Sequence, residues 1–184
     1  MPWRLIKWAA SLALALVIVA TLAGAYLFYR AMPAYSGTER LPGLSSETRV
    51  WRDTYGVPHI FAGSLDDAAR ALGYLHASER MFQMDIVRRV GQGRMSEIRG
   101  SDLLPVDKFI RTLGFYREAE TSFSALSPWV QKRLEAYADG VNAFLASHPL
   151  PPEFLVAGDR PEPDRKSTRL NSSHVVTSRM PSSA

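Results

Sequence analysis

Val50-Trp51-Arg52-Asp53-Thr54-Tyr55-Gly56-Val57-Pro58-His59-Ile60 is the stretch whose reading decides the fold, together with the run it feeds, Ala71-Leu72-Gly73-Tyr74-Leu75-His76-Ala77-Ser78-Glu79-Arg80-Met81-Phe82-Gln83-Met84. The first part predicts a strand, a turn and a second strand. Val50, Val57 and Ile60 favour extended backbone, and Gly56 can take the positive φ of a tight turn. Pro58 lacks a backbone donor, which suits a strand start or a sheet edge. The second part predicts a helix. Ser64 is its candidate N-cap, and Asp67, three residues on, gives a capping box with Asp in place of Glu. Leu65, Ala68, Leu72 and Leu75 follow at spacings that share one helical face.

Working outward towards the N-terminus, residues 30–46 hold Pro33, Gly37, Pro42 and Gly43 and read as an extended linker. Before it, Ala9 to Phe28 is a run of twenty residues without a charge. At about 1.5 Å per residue it spans roughly 30 Å, the thickness of a bilayer core. Residues 1–8 carry Arg4 and Lys7 in front of it, so the N-terminus is expected to stay in the cytoplasm. Residues 9–29 are then either a signal anchor or a signal peptide cleaved near Ala23-Gly24-Ala25. The apolar run exceeds the usual signal-peptide core of about 7–15 residues, which favours the anchor. Either way the body is expected on the periplasmic side of the inner membrane. It has no cysteine, so no disulfide holds it.

Working outward in the other direction, Gly91 is the expected end of a helix begun near Glu79. Arg88 and Arg89 read as solvated or ion-paired surface residues. Gly91-Gln92-Gly93 has neither a preceding strand nor a following Gly-Lys-Ser/Thr, so it is no phosphate cradle. Asp107 to Leu126 predicts one helix with Gly114 as its weak point. Ser127-Pro128 supplies an N-cap and a first-turn proline for another helix, striped by Val130, Leu134, Tyr137, Ala138, Val141 and Leu145, which ends before Pro149. The two are expected to form an antiparallel hairpin.

From Asp164 to Ala184 apolar periodicity fades and Ser, Thr, Asn and Arg dominate. This tail carries Arg165, Lys166, Arg169 and Arg179 against Asp164, a net +3 of the chain's +4, which leaves the rest near +1. The high isoelectric point is thus no sign of nucleic-acid binding, and no basic stripe interleaved with aromatics occurs in the body.

The side chains that carry chemistry do not assemble on paper. His76, Ser78 and Glu79 resemble a Ser-His-acid set, but neighbours one and two apart on a helix point in different directions. His76 reads as a hydrogen-bonded core residue. His59 and His76 would need further ligands to hold a metal, and His148 and His174 stand in no fitting spacing. Asp53 and Arg52 alternate across a strand, so each is expected to find its own partner. No catalytic, cofactor-binding or metal-binding residue is assigned.

Several motifs in order resemble the opening of the penicillin acylase (penicillin amidase) family. They are the two runs quoted above with Arg88-Arg89, then Gly93-Arg94-Met95-Ser96-Glu97, Arg111-x-Leu113-Gly114, Glu135-Ala136-Tyr137-Ala138-x-Gly140-Val141-Asn142-Ala143 and Pro151-Pro152-Glu153-Phe154. The resemblance implies an α+β fold, the mostly helical N-terminal piece of an αββα N-terminal-nucleophile hydrolase. It also implies a precursor that cleaves itself into α and β chains. The new β-chain N-terminal residue then serves as nucleophile, and its own α-amine, with a pKa near 8, as base. On this reading residues 47–163 are the truncated start of the α chain, the β-chain portion is the missing partner, and a small acyl amide is the substrate.

The nucleophile, the oxyanion-hole groups and the calcium ligands of such an enzyme would lie beyond this chain, which by itself binds no cofactor. Pro161-Glu162-Pro163 is followed by Asp164 where the family continues with Trp. Residues 164–184 therefore resemble read-through from an adapter, the other reading being a divergent natural tail. The different reading of the whole chain is a membrane-anchored helical binding module without catalysis.

Overall fold

The computed structural model describes residues 2–32 and 35–163. It is mostly helical with one small sheet. α1 (Pro2–Ala31) carries the apolar run, and within it Ile6–Ala31 is long and apolar enough to cross a membrane and buries nothing against the rest of the chain. Strands β1 (Arg49–Arg52) and β2 (Pro58–Phe61) pair antiparallel, with Val50 opposite Ile60 and Trp51 opposite His59. Pro58 opens β2, where its missing donor costs nothing. Gly56 sits at φ 77°, and the turn is tied by Asp53, whose Oδ1 accepts from Tyr55 N and Val57 N at 2.9 Å each.

α2 (Leu65–Gln92) is the central element, followed by α3 (Ser96–Arg99), α4 (Leu104–Leu113), α5 (Phe115–Ala125), α6 (Pro128–Ser147) and α7 (Pro152–Ala157). Ser64 caps α2 by accepting from Asp67 N at 3.1 Å. The reciprocal half of the expected capping box is absent. The Asp67 carboxylate instead takes Ser45 N at 2.9 Å and Ser45 Oγ at 2.5 Å, which fastens the end of the 30–46 segment to the first turn of α2. α2 does not end at Gly91. It bends at Arg80, which leaves helical geometry at φ −139°, and stops at Gly93 in the left-handed region.

The predicted Leu65–Leu72 stripe is not the buried face, since Leu65 and Leu72 are exposed. The buried line runs through Asp67, Ala71, Gly73, Ala77, Met81 and Asp85. The reason is α6. Gly73 faces the Tyr137 carbonyl and Gly140 faces the Arg70 carbonyl, so the two backbones meet where neither helix has a side chain. Asp66 pairs with Lys132 and Arg133, Arg70 with Asp139, and Tyr74 packs on Phe144, so the helices run in the same direction. Ala77 and Met81 of α2, Val141 and Phe144 of α6 and Phe154 of α7 then close a small core. Phe82 meets Phe154 edge-on at 5.2 Å.

Two further expectations change. The single helix over 107–126 is two, split where Gly114 adopts φ 74° and starting earlier, at Leu104. The antiparallel hairpin is also replaced: α6 spends its apolar face on α2, and α5 has no comparable contact with α6. Ser127 caps α6 and His148 closes it before Pro149, as the sequence predicts.

The Asp67 contacts carry a pH dependence. The Ser45 hydroxyl and then its backbone N–H hold the carboxyl down to about 2, against the opposing effect of burial. The folded pKa lies below the unfolded value of about 3.9, so the stabilisation is present above that value and is lost as pH falls through the folded one. Between about pH 5 and pH 2 the thermal midpoint should fall more steeply in the native chain than in Asp67→Asn. Equal slopes would show that the Ser45–Asp67 contact contributes nothing.

Candidate functional site

Among the described residues the histidines and carboxylates named above fall in three places, while His174 lies outside those residues. At the hairpin, Asp53 Oδ2 lies 3.3 Å from His59 Nε2, and the Asp53 carboxyl is held below its usual range chiefly by the Val57 backbone N–H. Arg52 leaves the other face of β1 and pairs with Glu79 of α2 at 2.5 Å. Each of the two residues thus has its own partner, with Asp53 lying in the turn just past the end of β1.

In the middle of α2, His76 Nδ1 lies 3.0 Å from the Tyr137 hydroxyl of α6, with the rings edge-on at 5.8 Å. Burial, then the neighbouring Arg80 charge, push its pKa down, with Glu79 opposing. The shift favours the neutral ring. Ser78 gives its proton to the Leu75 carbonyl at 2.8 Å and does not approach His76. The structure keeps the tempting trio apart.

A different Ser-His-acid grouping stands at the end of α6. Ser147 Oγ lies 2.8 Å from His148 Nδ1, and His148 Nε2 is 3.4 Å from the Tyr74 hydroxyl and 3.9 Å from Glu39. Ser147 commits its proton to the Ala143 carbonyl at 2.7 Å, so the ring has no proton to abstract. His148 stacks on Phe144 at 4.8 Å, which fixes it as packing. Half-buried beside it, and facing Glu39, Tyr74 has its phenol pushed up to about 12. Ser-His adjacency in sequence is the signal for this pair.

The densest polar cluster corrects the reading of Arg88 and Arg89 as surface residues. Asp85, Arg88 and Arg89 are all buried. Asp85 pairs with Arg88 and, at 2.8 Å, with Arg89 Nε. Arg89 continues to Glu97 at 2.9 Å and to Asp159, and Arg94 bridges Glu97 and Glu162 at 2.7 Å each. Arg88 donates to the Glu162 carbonyl at 2.8 Å. Burial works against the Arg89 charge, but the Asp85 hydrogen bond and the Asp85 and Asp159 charges outweigh it and raise its pKa. The hydrogen bonds to Glu97 and Glu162 raise that of Arg94.

Could these carboxylates hold a cation? Glu97, Asp159, Glu162 and Asp85 each face a guanidinium, so the cluster does not fit calcium. Among the described residues no three His, Asp or Glu side chains stand together for a metal ion. Asp107, also buried, accepts from Met95 N at 2.9 Å and Ser96 N at 2.7 Å. Burial works against its charge, but the Ser96 and Met95 contacts outweigh it, so its pKa is lowered. Its role is not visible in sequence because the segment it caps lies eleven and twelve residues upstream.

The local structure therefore builds a scaffold: a hairpin, a close helix crossing and a buried ion network that joins α2 to residues 159–162. The same residues carry the likeness to known proteins. The penicillin amidase family profile matches residues 47–180, of which 164–180 lie outside the described residues. The penicillin acylase 2 proenzyme of a Pseudomonas species is 46% identical over 134 residues, which are 72% of this chain and 17% of that protein. The acyl-homoserine lactone acylase QuiP of Pseudomonas aeruginosa is 39% identical over 133 residues, 71% of this chain and 16% of that protein.

The chain thus spans about a sixth of these curated relatives. Among solved structures, a thermostable penicillin G acylase of Alcaligenes faecalis superposes with a TM-score of 0.61 at 32% identity, covering 67% of this chain and 68% of that one. The motifs quoted from the sequence, the hairpin and helix scaffold that bears them, and a profile match over most of the chain agree: this chain belongs to the penicillin amidase family.

Proposed function

We propose that this chain is the first part of an exported acylase precursor that hydrolyses a linear amide bond by acyl transfer after cleaving itself. The observation that carries the reading is the match over residues 47–180 to a family whose relatives here are penicillin and acyl-homoserine lactone acylases. β-Lactam side chains and N-acyl-homoserine lactones are both substrates in keeping with those names. The αββα N-terminal-nucleophile fold would be completed by polypeptide beyond this chain, which also supplies the nucleophile, its amine base and any calcium ligands.

Chain lengths support a two-chain enzyme. The superposed Alcaligenes chain is about as long as this one, since similar shares of each are covered, whereas the Pseudomonas proenzyme is several times longer. Helix α1, apolar over Ile6–Ala31, supports export with residues 9–29 as anchor or signal. The body is then periplasmic and bound to the inner membrane if the helix is retained.

Amide hydrolysis needs a nucleophile beside a base, and donors aimed at the oxyanion. The hydroxyls of Ser64, Ser78 and Ser147 have other commitments, so the purified chain should turn over no phenylacetyl, glutaryl or long-chain acyl amide above a buffer blank. The precursor obtained by following the gene's reading frame downstream should cleave itself and then hydrolyse one of these classes. In that precursor His76→Ala should lower folded yield while the molecules that fold keep their kcat. Turnover by the bare chain that disappears with His76→Ala would overturn the assignment. A stop codon soon after residue 163 would instead favour the non-catalytic binding module.

A further inference from the structure

We infer that the outward side of α4 and the first residue of α5 form a docking surface for the polypeptide that follows this chain in the precursor, an inference that rests on the function proposed above. Val106, Phe109, Leu113 and Phe115 are 47 to 60% exposed. On α4 the first three lie at three- and four-residue steps, which makes one apolar stripe. Phe115 extends it across the Gly114 break.

What seats α4 is polar. Asp107 is buried beneath it as acceptor for Met95 N and Ser96 N, and Arg111 Nε donates to the Gly93 carbonyl at 2.8 Å. Gly93 itself lies against the Asp107 carbonyl, with 2.5 Å between that oxygen and the place a Cβ would take. These contacts fix the rotation of the helix about its axis. An isolated amphipathic helix would turn its apolar stripe to the core, and here the polar anchors turn it out. The resulting patch is on the order of a few hundred Å², comparable with the largest apolar patch of a typical monomer, which is often functional.

The occupant follows from length. Only 17% of the Pseudomonas proenzyme is aligned here, so about five-sixths of such a protein remains to be packed against this scaffold. The surface calls for an apolar partner with an acceptor or carboxylate at the edge, where Lys108 flanks the stripe. Phe109 supplies the large central side chain, the kind that dominates an interface.

These 184 residues hold no cysteine, so a single introduced thiol is read on the peptide that carries it. In the precursor extended through its own downstream reading frame, Phe109→Cys should react with a maleimide about tenfold slower than Lys108→Cys, because the centre of a packed interface excludes water and its edge does not. Phe109→Asp with Leu113→Asp should lose recovery of the downstream polypeptide with this chain after self-cleavage. Equal thiol rates in a precursor that cleaves itself and hydrolyses amides would overturn the docking surface and leave the proposed function standing. Protection of Phe109→Cys only when anionic lipid vesicles are added would assign the face to a membrane and overturn it too. A reading frame that ends near residue 163 removes the proposed function and this surface together.

Discussion

Replacing Asp85 by alanine is expected to cost about 3–5 kcal/mol, the usual loss when one partner of a buried ion pair is removed and the other stays charged. Two guanidiniums depend on this carboxylate, which is fully enclosed. Arg89 would keep Glu97 and Asp159, but both lie on its outer side and are partly in water. Among the described residues Arg88 would keep the Glu162 carbonyl as its hydrogen-bond partner. For a domain whose whole stability is about 5–15 kcal/mol, and whose core is as small as this one, the loss is close to complete. Trypsin reads it directly, because Arg88 and Arg89 are buried cleavage sites that become available only when α2 opens. Cleavage there should be slow in the native chain, fast in Asp85→Ala and intermediate in Asp85→Asn, which keeps the volume and the acceptor oxygen. Indistinguishable digestion of native chain and Asp85→Ala would mean that the network holds nothing.

A similar loss should follow from a single methyl group at the helix crossing. A Cβ on Gly140 would stand 2.0 Å from the Arg70 carbonyl oxygen, and one on Gly73 would stand 1.9 Å from that of Tyr137. Gly→Ala in a helix normally gains about 1 kcal/mol of propensity, while overpacking costs about 1–3 kcal/mol and occasionally more. Here the obstacle is backbone, which cannot rotate away, so the clash outweighs the propensity gain. Gly140→Ala is expected to lower the urea midpoint of the chain clearly. The double variant with Gly73→Ala should cost less than the two single costs added, since helices already forced apart by one Cβ admit the second. A raised midpoint in Gly140→Ala would show that the helices do not cross this closely.

These two sites also mark where sequence reading succeeds and where it fails. The hairpin is legible because Gly56, Pro58 and the β-branched residues act locally. So are the caps at Ser64 and Ser127, each decided within three residues. The pairing of α2 with α6 is not. On the α2 side it is made largely by glycine and alanine, which leave no apolar stripe, while Leu65 and Leu72 advertise a face that stays open. Arg88 and Arg89 read as surface because Asp85 alone is a local partner, while the residues at 159 and 162 that cover them lie far along the chain. Gly114 is a weak point by composition, but only its left-handed backbone makes it a break. The absence of any assigned catalytic residue follows from the resemblance, and the helix geometry agrees only in keeping His76 and Ser78 apart.

The ion network has a temporal side. Arg89 meets Asp159 across 70 residues of sequence, and Arg88 meets the Glu162 carbonyl across 74. At a synthesis rate of about 5–20 residues per second, α2 waits several seconds for those partners to be made. Until then its arginines sit in water, and for most of that time its crossing partner α6 is incomplete. Contacts this distant also slow folding once every residue is present. The nascent chain is therefore a late folder: the segment after α1 stays loose while it is being made, the state a polypeptide needs if it is to be threaded through a membrane before it folds.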